Sequence, residues 1–416
     1  MQRHPTTRRR ARSRAVSTLL AFALLTFAAA PAFAHAPGPG HGPGDEGGPP
    51  GQGDGFVPPG LDKKDSLSWA APKDFNIGSA VAGGGHHQDT DEPEPFRTDP
   101  QYRRILAKEF NSVTPENQLK WEMVQPEEGE FDFERADEII AFAERHGQDV
   151  RGHTLLWHSQ NPEWLEEGEF TDDELRDHLR DHIHTVVGRY AGQIDQWDVA
   201  NEVFDDGDPP QLRTDESIWL ERFGIEIVAD AFRWAHEADP EAELFLNDYN
   251  VEGINAKSDA YYDLVQDLLA DDVPIHGFGA QGHLGLQYDI PGDVEENLER
   301  FDDLGLATAL TEVDVRMELE NDEPTEEQIA TQAEWYEQLL DACLAVDGCD
   351  SFTVWGFSDQ HSWVPHSFEG EGAPLIMDED YERKPAYFAL RDRLHEARPG
   401  HWPHPRPGPW SSDHGG

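Results

Sequence analysis

Short apolar runs of β type alternate with longer amphipathic stretches eight times between residues 75 and 390. The runs cover 75–81, 112–114, 150–157, 196–203, 244–249, 277–284, 307–315 and 352–357. Between them lie stretches such as ADEIIAFAERHG, IEIVADAFRWAHEA and QIATQAEWYEQLLDACLAV, whose apolar positions recur every three or four residues, the helical period. Two of these open with capping-box spacing, Thr171 with Glu174 and Thr325 with Gln328. Strands that alternate singly with helices pair in parallel, and eight such units predict an α/β fold, a closed (β/α)8 TIM barrel, as one domain over 61–398. An open doubly wound sheet is the rival, and no Gly-rich phosphate turn follows the first run to favour it.

The flanks have a different character. Arg8, Arg9, Arg10, Arg12 and Arg14 precede an apolar run over 15–30 and then Ala32-Phe33-Ala34, so 1–34 reads as a signal peptide and the protein as secreted and extracellular. Residues 35–60 are a Gly, Pro and His leader with too little apolar content for a core, and 399–416 form a similar flexible tail. No other apolar stretch reaches the length of a membrane span, so no membrane partner is expected. In an exported protein Cys343 and Cys349, six residues apart, read as one small-loop disulfide.

Charge narrows the partners. The formal net charge is −52, and removal of 1–34 takes away six arginines and no acids, deepening it to −58. Such a surface repels nucleic acid. The excess of Asp and Glu over lysine is of the kind suited to concentrated salt, where self-repulsion is screened, and adaptation to high salt is expected.

Polar side chains collect at the C-terminal ends of the runs, the face on which barrel enzymes build their sites. Glu116, Asn117 and Lys120 follow the second run, and His153, Trp157, His158 and Gln160 end the third. Asp198, Asn201 and Glu202 end the fourth, and Asn247, Asp248, Tyr249 and Asn250 the fifth. Gln281 and His283 lie on the sixth, Glu312 and Asp314 on the seventh, and Trp355, Asp359, His361 and Trp363 after the eighth. Any one of these could be a helix cap or a satisfied core residue. Seven strands supplying carboxylates, amides and indoles to one rim suit a neutral polyhydroxylated ligand, whose hydroxyls take hydrogen bonds and whose faces lie on rings. No metal-ligand spacing, Ser-His-Asp arrangement or phosphate loop competes, so neither metal nor cofactor is expected.

Cleaving a glycosidic bond takes two carboxyl groups, and Glu202 and Glu312 end strands that face each other across a barrel mouth. Period two places Leu310, Glu312 and Asp314 on one face of the seventh strand and Thr311, Val313 and Val315 on the other, and likewise puts Gln281 and His283 together on the sixth. Asn201 and Glu202 are neighbours that point apart in a regular strand, so both serve the site only if the fourth strand ends or bulges there.

In chain order, FNSVTPENQLKW, RGHTLLWHSQNPEW, WDVANEVFDDG, LFLNDYN, GFGAQGHL, TEVDVR, VWGFSDQHSWVP and KPAYFAL resemble the motifs of glycoside hydrolase family 10, a family of xylanases. The resemblance implies a retaining endo-1,4-β-xylanase acting on xylan and xylo-oligosaccharides, here expected as a monomer. It implies Glu202 as acid/base, kept protonated by its surroundings, Glu312 as nucleophile, Asn201 as the partner of the sugar 2-hydroxyl, and His283 with Asp314 as the nucleophile's support. Glu116, Asn117, Lys120, His153, Trp157 and Gln160 are implied on the glycone side, with Trp355 and Trp363 caging the reacting sugar. Tyr249 and Asn250 are implied on the aglycone side, and Gln281 is expected among the substrate-binding residues. Gln160 and Trp363 would crowd a C6 hydroxymethyl group, which xylose lacks. The chain departs from the family pattern at Val203, where alanine is usual, and in an acidic insert over 89–94.

Overall fold

Eight strands pair in parallel in chain order, and the last pairs with the first. They are β1 (Asn76–Val81), β2 (Ser112–Pro115), β3 (Asp149–Leu156), β4 (Gln196–Asn201), β5 (Glu243–Asp248), β6 (Gly277–Ala280), β7 (Ala307–Glu318) and β8 (Cys349–Val354). The principal helices between and after them are α1 (Pro100–Glu109), α2 (Glu134–His146), α3 (Asp172–Arg189), α4 (Glu226–Ala238), α5 (Ala256–Ala270), α6 (Val294–Asp302), α7 (Glu326–Ala345) and α8 (Pro385–Ala397). This computed structural model describes residues 63–83, 94–321 and 323–398. The expected signal peptide over 1–34, leader over 35–60 and tail over 399–416, with nearly all of the acidic insert, lie outside the described residues. The closed ring of parallel strands is the (β/α)8 barrel expected from the alternation.

Local chemistry explains why the elements form where they do. Thr171 caps α3 and Thr325 caps α7, each with its reciprocal capping-box partner, Glu174 and Gln328. Helix α2 ends at Gly147, whose left-handed φ of 66° lets its N–H reach back to the carbonyls of Ala143 and Glu144. Helix α7 buries Gln332, Trp335, Tyr336, Leu339, Leu340 and Cys343, a stripe at spacings of three and four facing the strands. Its last turn is tied to the start of β8 by a Cys343–Cys349 disulfide, which closes a loop short enough to contribute about 2 kcal/mol through chain entropy.

The barrel floor is ionic rather than aliphatic. Arg151 of β3 grips Asp198 of β4 with Nε and Nη2, donates through Nη1 to Gln196 Oε1 at 3.0 Å, and lies 4.3 Å from the centre of the Phe245 ring. Gln196 in turn donates to Glu243 and Asp350. Each buried charge thus has a partner, which is the condition for keeping it inside.

Four register shifts interrupt the ladders. They fall between His153 and Leu156, between Asp198 and Ala200, between Thr308 and Ala309, and between Leu310 and Val313. The last overturns the strict alternation expected for β7: Thr311 donates to Asn247 Oδ1 at 2.7 Å while Glu312 accepts from Asn247 Nδ2 at 2.7 Å, so adjacent residues serve one interior amide. The sixth run is likewise interrupted. Strand β6 stops at Ala280, Gly282 turns with φ 82°, and a short strand, His283–Gly285, pairs with β7 instead. Gln281 and His283 therefore serve different carboxylates rather than one shared face.

Packing between neighbouring strands is tight enough to test. A Cβ on Gly152 of β3 would come within 2.3 Å of the Trp197 indole of β4, whereas one on Gly188, exposed in α3, would meet nothing. Gly152→Ala is expected to destabilise by about 1–3 kcal/mol through overpacking. Gly188→Ala should stabilise by up to about 1 kcal/mol through helix propensity. Denaturant melts that moved both variants in one direction would contradict this packing.

Candidate active site

The strand ends open on a cleft of about 950 Å³. Most side chains singled out in the sequence line it: Glu116, Asn117, Lys120, His153, Trp157, Glu202, Tyr249, Asn250, Gln281, His283, Glu312, Trp355 and Trp363. Asn201, Gln160 and Asp314 stand behind that wall, each no more than 1% exposed. Gln160 and Asp314 act on the site through the residues they touch.

Glu202 directly follows β4, with a left-handed φ of 56°. The strand end and this turn let Asn201 and Glu202 converge despite being neighbours. Glu202 Oε2 accepts from Trp157 Nε1 at 2.9 Å, and Oε1 from Gln281 Nε2 at 3.0 Å and Asn201 Nδ2 at 3.1 Å. Arg213 Nε donates to its carbonyl oxygen at 3.1 Å. Burial pushes the carboxyl up, but the His158 charge, the Gln281 and Trp157 hydrogen bonds and the Arg213 guanidinium outweigh it, holding the group below the ordinary glutamate value. All three side-chain neighbours donate, which suits a carboxylate. The expectation that the protein alone keeps Glu202 protonated is therefore corrected. His158 is itself pushed down by burial, so its share of the effect fades as it becomes neutral.

Glu312 is held from two sides. Asn247 Nδ2 donates to Oε1 at 2.7 Å and His283 Nε2 lies 3.2 Å from Oε2. Asn247 also donates to Asn201 Oδ1 at 2.9 Å, so two amides link the carboxylates: Glu202 to Asn201, Asn201 to Asn247, Asn247 to Glu312. His283 Nδ1 donates to Asp314 Oδ2 at 2.9 Å. Burial works against its charge, but Asp314 and then Glu312 prevail and raise the imidazole to about 10. Trp363 Nε1 donates to the same Asp314 oxygen at 2.8 Å, fixing the indole that forms part of the cleft wall. Trp355 and Trp363 both meet the His283 ring edge to face.

Around Lys120 the cleft is cationic but paired with amides. Its Nζ donates to Asn117 Oδ1 at 2.9 Å and Gln160 Oε1 at 2.8 Å and lies 4.8 Å from the Trp157 ring centre. Gln160 gives its own N–H groups to Glu122 and Asn117. It thus props Lys120 from behind the cleft wall. Beneath this layer His153 Nδ1 lies 3.0 Å from Asp198, joining the mouth to the ionic floor.

Sequence reasoning gave no role to Asn247, Arg213 or Asp206. Asn247 had a signal, because period two on β5 sets it on the side of Phe245, inside the barrel. The other two lie in the loop after β4, where no periodicity marks them. Val203, the departure beside Glu202, is fully buried and donates its N–H to the Tyr261 hydroxyl.

Residues 66–393 match the sequence pattern described as Glycosyl hydrolase family 10. The chain belongs to this family. It is 40% identical over 299 residues to endo-1,4-beta-xylanase B of Thermotoga neapolitana, a match covering 71% of this chain and 84% of the relative. It is 39% identical over 316 residues to an endo-1,4-beta-xylanase of Agaricus bisporus, covering 75% and 92%. Among solved structures it resembles xylanase 10B of Thermotoga petrophila in complex with xylobiose, with a TM-score of 0.72, 38% identity, and coverage of 80% of this chain and 97% of that one. In this family 10 protein the carboxylates of TEVDVR and WDVANEVFDDG are the two that the amide bridge connects.

The His283 imidazolium has a consequence for stability. Its value is raised from 6.5 to about 10 on folding, so its contribution is complete below pH 6.5 and is lost as pH rises towards 10. Urea melts at pH 6 and pH 9.5 should show a loss of stability that His283→Asn reduces. An unchanged pH dependence in the variant would mean that the imidazole is neutral between its two acids.

Proposed function

We propose that this protein is a secreted endo-1,4-β-xylanase that hydrolyses internal xylosidic bonds of xylan with retention of anomeric configuration. The observation that carries the reading is the pair Glu202 and Glu312, joined through Asn201 and Asn247 in one cleft yet held by different donors. Glu312, between an amide and an imidazolium, is oriented as the nucleophile. Its carboxylate attacks the anomeric carbon and forms a glycosyl ester while Glu202 gives its proton to the departing sugar oxygen. Glu202, now a carboxylate, takes a proton from water as that water attacks the ester, which frees Glu312 and releases the product.

The proton on Glu202 follows from burial. A sugar in the cleft excludes water, strengthening the desolvation that already favours the neutral acid, and its glycosidic oxygen offers the acceptor that Trp157, Gln281 and Asn201 do not. Asn201, at the centre of the bridge, suits the role of partner to the sugar 2-hydroxyl. Glu312→Gln should abolish turnover of every substrate. Glu202→Gln should cost at least tenfold more on xylan than on a dinitrophenyl β-xylobioside, whose leaving group needs little protonation. Retention predicts the β-anomer as the first product seen by proton NMR. Faster hydrolysis of carboxymethyl-cellulose or mannan than of xylan would favour another glycanase of similar architecture.

Export is supported by the arginine-led apolar segment and its A-x-A site, and by a disulfide, which persists in oxidising compartments. Adaptation to salt is supported by the net charge of −52. The melting temperature should rise between 0.1 and 3 M NaCl, and a fall over that range would remove the salt argument while leaving the catalytic one intact.

A further inference from the structure

The turn after β4 delivers a carboxylate to the back of the cleft. Phe204 and Leu212 form an antiparallel bridge across it, and Asp205 Oδ1 accepts from Gly207 N at 3.0 Å and Gln211 N at 2.7 Å, so its course is fixed. Asp206 follows and does not line the cleft. Its Oδ2 accepts from the Tyr249 hydroxyl at 2.8 Å, and its Oδ1 from Asn250 Nδ2 and Lys257 Nζ, both at 3.1 Å. One carboxylate therefore holds both cleft residues that follow β5. Asn250 has a left-handed φ of 56°, and its carbonyl accepts from Asn255 Nδ2, so the β5 loop is held at its own end as well.

Tyr249 is fixed from two further directions. Arg213 Nη2 donates to its hydroxyl at 3.0 Å, while the same guanidinium donates through Nε to the Glu202 carbonyl. Lys257 Nζ, buried and bonded to Asp248 at 2.9 Å, lies 3.8 Å from the ring centre. Lys257 is not part of the cleft wall, so the opposite face of the ring is the one open to a ligand. A hydroxyl that both donates and accepts, over a cation, leaves the ring little freedom, and a rigid platform binds a sugar at lower entropic cost than a mobile one.

We propose that Asp206 is a positioning residue that sets affinity for the leaving-group side of the polysaccharide, by holding Tyr249 and Asn250 in place without touching substrate. This rests on the proposed xylanase activity, with Tyr249 and Asn250 on the aglycone side. The test compares xylohexaose, which fills that side with sugars, and a nitrophenyl β-xylobioside, whose leaving group makes no sugar hydrogen bonds there. In Asp206→Ala, kcat/KM on xylohexaose should fall roughly fivefold to twentyfold, the worth of one or two hydrogen bonds, mostly through KM. The rate on the aryl glycoside should stay within about twofold. Asp206→Asn, which keeps an oxygen to accept from the Tyr249 hydroxyl, should recover part of the loss on xylohexaose. Equal losses on both substrates in Asp206→Ala, or a loss in Asp206→Asn as large as that in Asp206→Ala, would overturn the inference. A wild-type protein inactive on both substrates would instead refute the proposed function itself.

Discussion

Two carboxylates linked within one buried hydrogen-bond network repel each other most where water is least able to screen them. The structure answers this with donors. Asn201 and Asn247 stand between the acids and give each a hydrogen bond, and His283 adds a full positive charge on the far side of Glu312. That imidazolium exists because Asp314 lies behind it, so the order of charges through the seventh-strand side is acid, cation, acid. The indole of Trp363 depends on the same order, because it is anchored on Asp314.

The floor of the barrel repeats the principle. Arg151, Asp198 and His153 form a column from the lower ring to the cleft, and its charges are satisfied before any ligand arrives. A barrel so filled is stiff where the chemistry occurs, because each polar group would lose a partner if its strand moved. Binding residues on loops then need separate anchorage, which the Asp206 turn supplies on one side and the Gln160 to Lys120 contact on the other.

The sequence made the fold legible because the strand-helix alternation is regular and the caps at Thr171 and Thr325 mark where helices begin. Glu202, Glu312, His283 and Asp314 were legible because they lie on strands or just beyond them, in an order that fixes their place around the mouth. What period two cannot see is a bulge. Thr311 turned inward because β7 slips between Leu310 and Val313, and Gln281 parted from His283 because the chain turns at Gly282. Gln160 shows a different limit: a motif names the residue but not which of its atoms are already hydrogen-bonded. The state of Glu202 belongs to the same class, since it depends on three donors from three separate strand ends. Arg213 and Asp206 were silent because loop residues carry no periodic signal.

The amide bridge between the acids has a further consequence. Its four members lie on or directly after β4, β5 and β7, so the barrel itself braces the two acids against each other. Loops are then freest to vary where they carry neither Arg213 nor His158, whose charges bear on Glu202.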